Sequence, residues 1–189
     1  MSEALENIRK SLKAKSSKET AEFSKKVAPG SSAIYGVKMP ELNKLATEFR
    51  EEGFDLIEEL WESGAFEEKI LAMKLLERIA KKDAARSLRL VKKYSKQIDN
   101  WAVCDAMGMQ ALKSIVKTHQ EEIFVMAEKM NSSPDMWQRR LSLVLVEWYT
   151  REPSLHPRIQ KLVKALETDK EYYVKKAVQW LKRNITKKK

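Results

Sequence analysis

Along most of the chain, apolar residues recur at three- and four-residue spacings, as in helices that bury one side. Leu5, Ile8 and Leu12, followed by Phe23 and Val27, predict an amphipathic helix over residues 2–26 with these side chains inward. Pro29-Gly30-Ser31-Ser32 breaks it, and residues 33–39 read as a connector. Pro40 suits the first position of the next helix, whose apolar side is Leu42, Leu45, Ala46 and Phe49. Gly53 closes that helix, and residues 54–61 form a short one closed by Ser63-Gly64. A helix over 66–82 turns Ile70, Met73, Leu76 and Ile79 inward, and Asp83 caps the next, 84–95.

Asp99 or Asn100 caps a central helix that runs through Val116, followed by a helix over 119–131. Ser133-Pro134-Asp135 opens a helix over 135–150, with Ser at the cap, Pro first and an acid in the first turn. Pro153 and Pro157 bracket the start of a helix reaching about Glu167, and Asp169 starts the last, 170–186. Helices joined by short connections, with no alternating strand pattern, predict an all-α fold of stacked antiparallel pairs. A pair recurs every roughly 35–40 residues, which fits a HEAT-like α-solenoid whose concave face suits a long ligand such as a duplex. At 189 residues one domain over 1–189 is expected, with Lys187-Lys188-Lys189 as a frayed basic tail.

Composition narrows the chemistry. One cysteine, Cys104, excludes an internal disulfide and points to a reducing, cytoplasmic setting. With only His119 and His156 beside it, no metal-ligand set can be assembled, and the scattered glycines form no phosphate-cradling loop. The N-terminal stretch is too charged for a signal peptide, and no segment approaches a membrane span in length. The expectation is a monomer without metal, cofactor or membrane association. The formal charge of +10 is unevenly placed. Residues 41–80 carry eleven acids against five bases, and residues 158–189 eleven bases against three acids. That asymmetry suggests one basic face for a polyanion, although a basic protein with a solvated surface has the same composition.

Between Asn100 and Gln120 the only carboxylate is Asp105, set among Ala, Val, Cys, Met, Leu and Ile. An acid there is either a structural group held by an Arg or by backbone, or a reactive one beside an aromatic wall. Trp101, four residues earlier, shares its helix face. On the last helix, Val174, Ala177, Val178, Leu181 and Ile185 form the apolar stripe, while Trp180 falls outside it among Lys176, Arg183 and Lys187. That indole either packs on a neighbouring helix or faces nucleic acid. On helix 135–150, Trp137, Leu141, Val144, Leu145 and Trp148 make the core stripe. Arg140 flanks it, suited to a place near Asp105, and Arg139 points nearly opposite, toward solvent or backbone phosphate. Cys104 reads as a small buried thiol, and neither histidine has an evident partner.

These residues carry a resemblance. Tyr35-Gly-Val-Lys-Met-Pro-Glu-Leu, Glu67-Glu-Lys-Ile-Leu-Ala-Met, Asn100-Trp-Ala-Val-Cys-Asp, Trp137-Gln-Arg-Arg and Tyr173-Val-Lys-Lys-Ala-Val-Gln-Trp180 follow one another in order. In this combination the chain resembles the DNA alkylation repair glycosylases of the AlkD type, an all-helical HEAT-like superfamily. Gln179 stands where that family commonly has Gly. The resemblance implies excision of N3- or N7-alkylated purines from duplex DNA without a base-swallowing pocket. It also implies that Trp101, Asp105, Trp180 and Arg140 form the catalytic group, with Arg140 able to hold the phosphate beside the lesion. Arg139, Lys175, Lys176, Arg183 and Lys187 are the expected DNA-backbone contacts. Two other readings stay open: a catalytically silent duplex-binding relative, and a HEAT-like scaffold for an acidic protein.

Overall fold

The computed structural model describes residues 2–31 and 33–186; the side chain of Val27 and residues 187–189, Lys187 among them, lie outside the described residues. Within the described residues the chain is all-helical, with eleven α-helices and no strand. Ser2 caps α1 (Glu3–Ala14), which buries Leu5, Ile8 and Leu12. The single helix expected over 2–26 is broken after Ala14. The Ser17 hydroxyl accepts from the Thr20 N–H at 3.1 Å and so starts a second helix, α2 (Lys18–Val27). Phe23, expected inward, is 65% exposed on α2.

α3 (Met39–Glu48) carries its proline in the first turn, as the sequence predicts. Gly53 opens α4 (Gly53–Glu62), its φ of +78° reversing the chain after a short 3-10 turn. α5 (Phe66–Ile79) is buried on nearly all sides, and the Asp83 carboxylate caps α6 (Ala84–Tyr94) through the Arg86 N–H at 2.7 Å. The central helix is shorter than predicted: α7 covers Trp101–Ala106 and passes into a π-helical turn, Met107–Ala111, followed by irregular turns. α8 spans Gln120–Asn131. In α9 (Met136–Leu145) the cap is Asp135 rather than Ser133, because its carboxylate accepts from the N–H groups of Trp137 and Gln138. α10 (His156–Ala165) and α11 (Tyr172–Thr186) complete the chain.

Packing is between successive layers. α3, α5, α7, α9 and α11 contact one another in turn, while α4 packs on α5, α8 on α9 and α10 on α11. The result is a solenoid-like stack in which one hydrophobic cluster continues from Ala4 to Leu181. Two of the stretches quoted for the resemblance meet inside it. The buried carboxylate of Glu67 accepts from the backbone N–H groups of Tyr35, Gly36 and Val37 at 2.9, 2.7 and 3.2 Å. Glu68, also buried, accepts from the Tyr35 hydroxyl at 2.6 Å and from Arg9 at 3.0 Å. Those residues hold the connector before α3 onto α5; they are scaffold.

Candidate functional site

The site begins at the capped start of α7. The Asn100 side chain accepts from the Val103 N–H at 2.9 Å and donates to Asp99 at 2.7 Å and to the Ser31 hydroxyl at 3.1 Å. Asp99 in turn accepts from Lys69 of α5 at 2.7 Å. Gly30 lies against this corner: a Cβ there would come within 2.8 Å of the Asp99 carbonyl oxygen. α7 is thereby fixed in angle and depth before its first residue, Trp101.

At its other end α7 is locked to α9. A Cβ on Gly108, in the π-helical turn, would sit 2.5 Å from Val144 Cγ1, so the two elements approach as closely as a bare backbone allows. The Trp148 indole N–H donates to the Gly108 carbonyl at 3.2 Å. This close packing brings Arg140 onto Asp105. Arg140 Nε and Nη2 reach Oδ1 at 3.1 and 2.9 Å, and Nη2 also reaches Oδ2 at 3.0 Å. Nη1 donates to the Tyr173 carbonyl at the start of α11, at 2.7 Å. The tyrosine ring packs on Trp137 with centroids 5.1 Å apart. Three helices therefore converge on one guanidinium.

Arg140 is buried, whereas the Asp105 side chain remains 33% exposed. Arg140 reaches both carboxylate oxygens from one side, and part of the side chain is open to solvent. Burial pushes the Asp105 carboxyl above its ordinary value, and the guanidinium opposes that only in part. Burial likewise pushes the neighbouring Cys104 thiol up, which makes it an inert core group. Trp101 stands one helical turn before Asp105, partly buried against the core.

On α11 the expected stripe is confirmed by burial of Val174, Ala177, Val178 and Leu181, and Trp180 lies off it, partly buried. It is connected to the Asp105–Arg140 pair through its own helix, two turns beyond Tyr173. Lys176, Trp180 and Arg183 share one face at i, i+4 and i+7, both bases being exposed. The Lys176 ammonium rests 5.3 Å from the Tyr172 ring. Lys175 sits about 140° round the helix from Trp180, near Asp169.

These contacts place Arg140 at Asp105, as its flank position suggests, and correct the setting expected of Arg139. The phosphate contact that the resemblance allows for Arg140 is not where its donors point, because all three guanidinium nitrogens are engaged by Asp105 and the Tyr173 carbonyl. Arg140 positions the carboxylate. Arg139, expected to face solvent or backbone phosphate, is folded onto Asp169 at 2.6 Å and donates to the carbonyls of Ser133 and Pro134 at 2.9 and 2.8 Å. Its side chain is 17% exposed, and that of Asp169 7%. The pair ties the start of α9 to the start of α11. Lys187 lies outside the described residues. The Tyr173 carbonyl is the functional partner that sequence reasoning missed, and a backbone oxygen leaves no residue signature.

His119 and His156 make local contacts, to the Thr118 hydroxyl at 2.9 Å and the Thr150 carbonyl at 2.8 Å. Among the described residues no three His, Cys, Asp or Glu side chains gather where they could hold a metal, and no helix is long and apolar enough to cross a membrane.

A sequence model of the DNA alkylation repair enzyme family matches residues 8–189. The chain belongs to that family. A solved structure described as a predicted DNA alkylation repair enzyme from Enterococcus faecalis superimposes with a TM-score of 0.78 at 20% identity, covering 91% of this chain and 84% of its own. At that identity the likeness establishes the shared fold. No curated protein matches the chain. Membership of the family supports a role in the repair of alkylated DNA.

Proposed function

We propose that the protein is a DNA glycosylase that releases positively charged N3- and N7-alkylpurines from duplex DNA. The observation that carries this reading is the state of Asp105: a carboxylate fixed by a buried arginine, still partly open to solvent, one turn from an indole. An alkylated purine already bears positive charge, so its glycosidic bond is weakened and the departing base needs no proton. As the bond breaks, its electron pair neutralises the base and the sugar becomes oxocarbenium-like. Asp105 stabilises that cation, orients a water and takes its proton as the new C1′–O bond forms. The products are the free alkylpurine and an abasic site.

Trp101 and Trp180 offer indole faces to a cationic lesion and to sugar C–H groups, an attraction of about 0.5–2 kcal/mol each. Lys176 and Arg183, flanking Trp180, bind backbone phosphates, with Lys175 further round the helix. The duplex lies along the row α5, α7, α9 and α11, a HEAT-like concave surface, and the base is read without the extrusion that flipping enzymes require. The protein acts as a monomer in the cytoplasm.

The bidentate Asp105–Arg140 pair also favours a second reading, a duplex-binding relative in which the carboxylate is only structural. Incubation with methylated genomic DNA distinguishes them. A glycosylase sets free 7-methylguanine or 3-methyladenine and leaves abasic sites, whereas a silent relative binds the duplex and releases neither.

A further inference from the structure

A groove of about 610 Å³ opens between α6 and α8. It lies away from the site just described. Gln138 lines it, and two residues on, about 200° round α9, Arg140 points to Asp105. Its floor is apolar: Leu88 from α6, and Val125, Met126 and Met130 from α8. On α8 the groove residues Glu122, Val125, Met126 and Lys129 follow i, i+3, i+4 and i+7, a second face, with the buried Met130 at its edge. The other face, with Ile123, Phe124 and Ala127, is already buried. Val125 is 55% exposed, in a position where a helix surface ordinarily carries a polar residue. One end wall is closed by its own hydrogen bonds, Gln138 to Ser95 at 3.1 Å and Ser133 to Gln138 at 2.7 Å.

The rim is basic. Arg89, Lys92 and Lys96 stand on the α6 side and Lys129 on the α8 side, all exposed. The neighbouring bases of α6 are neutralised within the fold: Arg86 pairs with Asp55 and Glu58, and Lys93 with Glu58 and Glu62. The four rim bases have no ion pair among the described residues. Of the two rim acids, Glu121 is already held by Arg158 at 2.5 Å. An apolar floor edged by unneutralised cations is complementary to an amphipathic helix with acidic flanks. The methionines can repack around different apolar anchors. A nucleic-acid backbone would leave that floor uncovered.

We propose that this groove docks an acidic amphipathic helix of a partner protein, which would bring the repair domain to other components while leaving its active row free. The inference does not depend on glycosylase activity. It is tested by fluorescence anisotropy of the intact protein with synthetic helical peptides of about 14 residues, long enough to span α8. The peptides carry leucines at i, i+4, i+7 or i, i+3, i+7, with Glu and Asp flanks or Lys flanks. The acidic set is expected to bind, the lysine set at least about tenfold more weakly. Val125→Asp, and separately Lys92→Glu with Lys96→Glu, should each weaken acidic-peptide binding at least about tenfold, with duplex binding unchanged. The proposal is overturned if no acidic peptide binds below about 1 mM, if both charge classes bind alike, or if Val125→Asp has no effect. Concentration-dependent dimers that Val125→Asp dissolves would instead assign the groove to a second copy of this chain. Displacement by a short duplex with no sensitivity to Val125→Asp would make it a polyanion surface.

Discussion

The guanidinium of Arg140 lies along the carboxylate of Asp105 with three contacts of 2.9–3.1 Å, and its remaining arm reaches the Tyr173 carbonyl at 2.7 Å. The arginine is buried and the aspartate is not fully so. That asymmetry makes Arg140 the support and Asp105 the working end. Because the support is shared between α7, α9 and α11, any change in how these helices pack is felt at the carboxylate.

The pH dependence follows from this pair. Burial raises the Asp105 carboxyl and Arg140 opposes the rise, so the folded protein holds the proton more tightly than the unfolded chain does. Asp105 therefore favours folding below the ordinary carboxyl value, and that contribution is lost as pH rises through its folded pKa. Activity runs the other way, since only the carboxylate stabilises the sugar cation. kcat/KM for base release should fall with decreasing pH on a limb above the usual Asp value of 3.8. In Arg140→Lys, which keeps charge but not the fork, the limb should move to higher pH. A limb that stays in place would show that Arg140 does not tune Asp105.

Arg139, next in sequence, should behave differently. Its pair with Asp169 is largely buried, and although burial raises the Asp169 carboxyl, hydrogen bonds from Arg139 and the Glu171 N–H outweigh this and hold it below the ordinary range. That stabilisation is present above the unfolded-state value and is lost as pH falls through the folded one. Arg139→Ala should cost about 3 kcal/mol in urea unfolding, with the salt dependence of duplex binding unchanged. A lower salt slope at unchanged stability would return Arg139 to the DNA surface.

Lys176 and Arg183 should show the opposite pattern. Both are exposed beside Trp180, so Lys176→Ala or Arg183→Ala should leave stability within about 0.5 kcal/mol. Each should lower the slope of log K against log salt by about 0.9 if its cation neutralises a phosphate. Slopes equal to wild type would move the duplex away from this face of α11.

Gly108→Ala tests the packing beneath the site. Its methyl group would fall 2.5 Å from Val144 Cγ1 and force α7 and α9 apart. Destabilisation of about 1–3 kcal/mol is expected, together with a lower kcat because Asp105 and Arg140 ride on the separated elements. Full activity in a destabilised variant would show that the pair tolerates the shift.

Much of this was legible in the sequence because it is periodic or local. Leu5, Ile8 and Leu12, and the α11 stripe from Val174 to Leu181, announce their buried sides, and Asp83 and Asn100 cap where short polar side chains precede an apolar run. The placing of Arg140 on the flank of its helix was also readable from angle alone. The break at Ser17 was not, since a serine within a helical pattern becomes a cap only when the chain turns. Nor was the early end of α7, just before Gly108 packs on Val144, 36 residues away in the numbering. Arg139 shows the same limit: its angle on the helix is visible, but Asp169 reaches it only through the packing of α11 on α9.

The central claim is that the partly exposed Asp105 carboxylate performs the chemistry. The direct measurement is release of 7-methylguanine and 3-methyladenine from methylated duplex by wild type and Asp105→Asn under single-turnover conditions, with duplex affinity and circular dichroism of both. The account predicts a folded variant with duplex affinity within a few-fold of wild type and base release reduced by at least about 100-fold. Equal release by the folded variant and the wild type would contradict it.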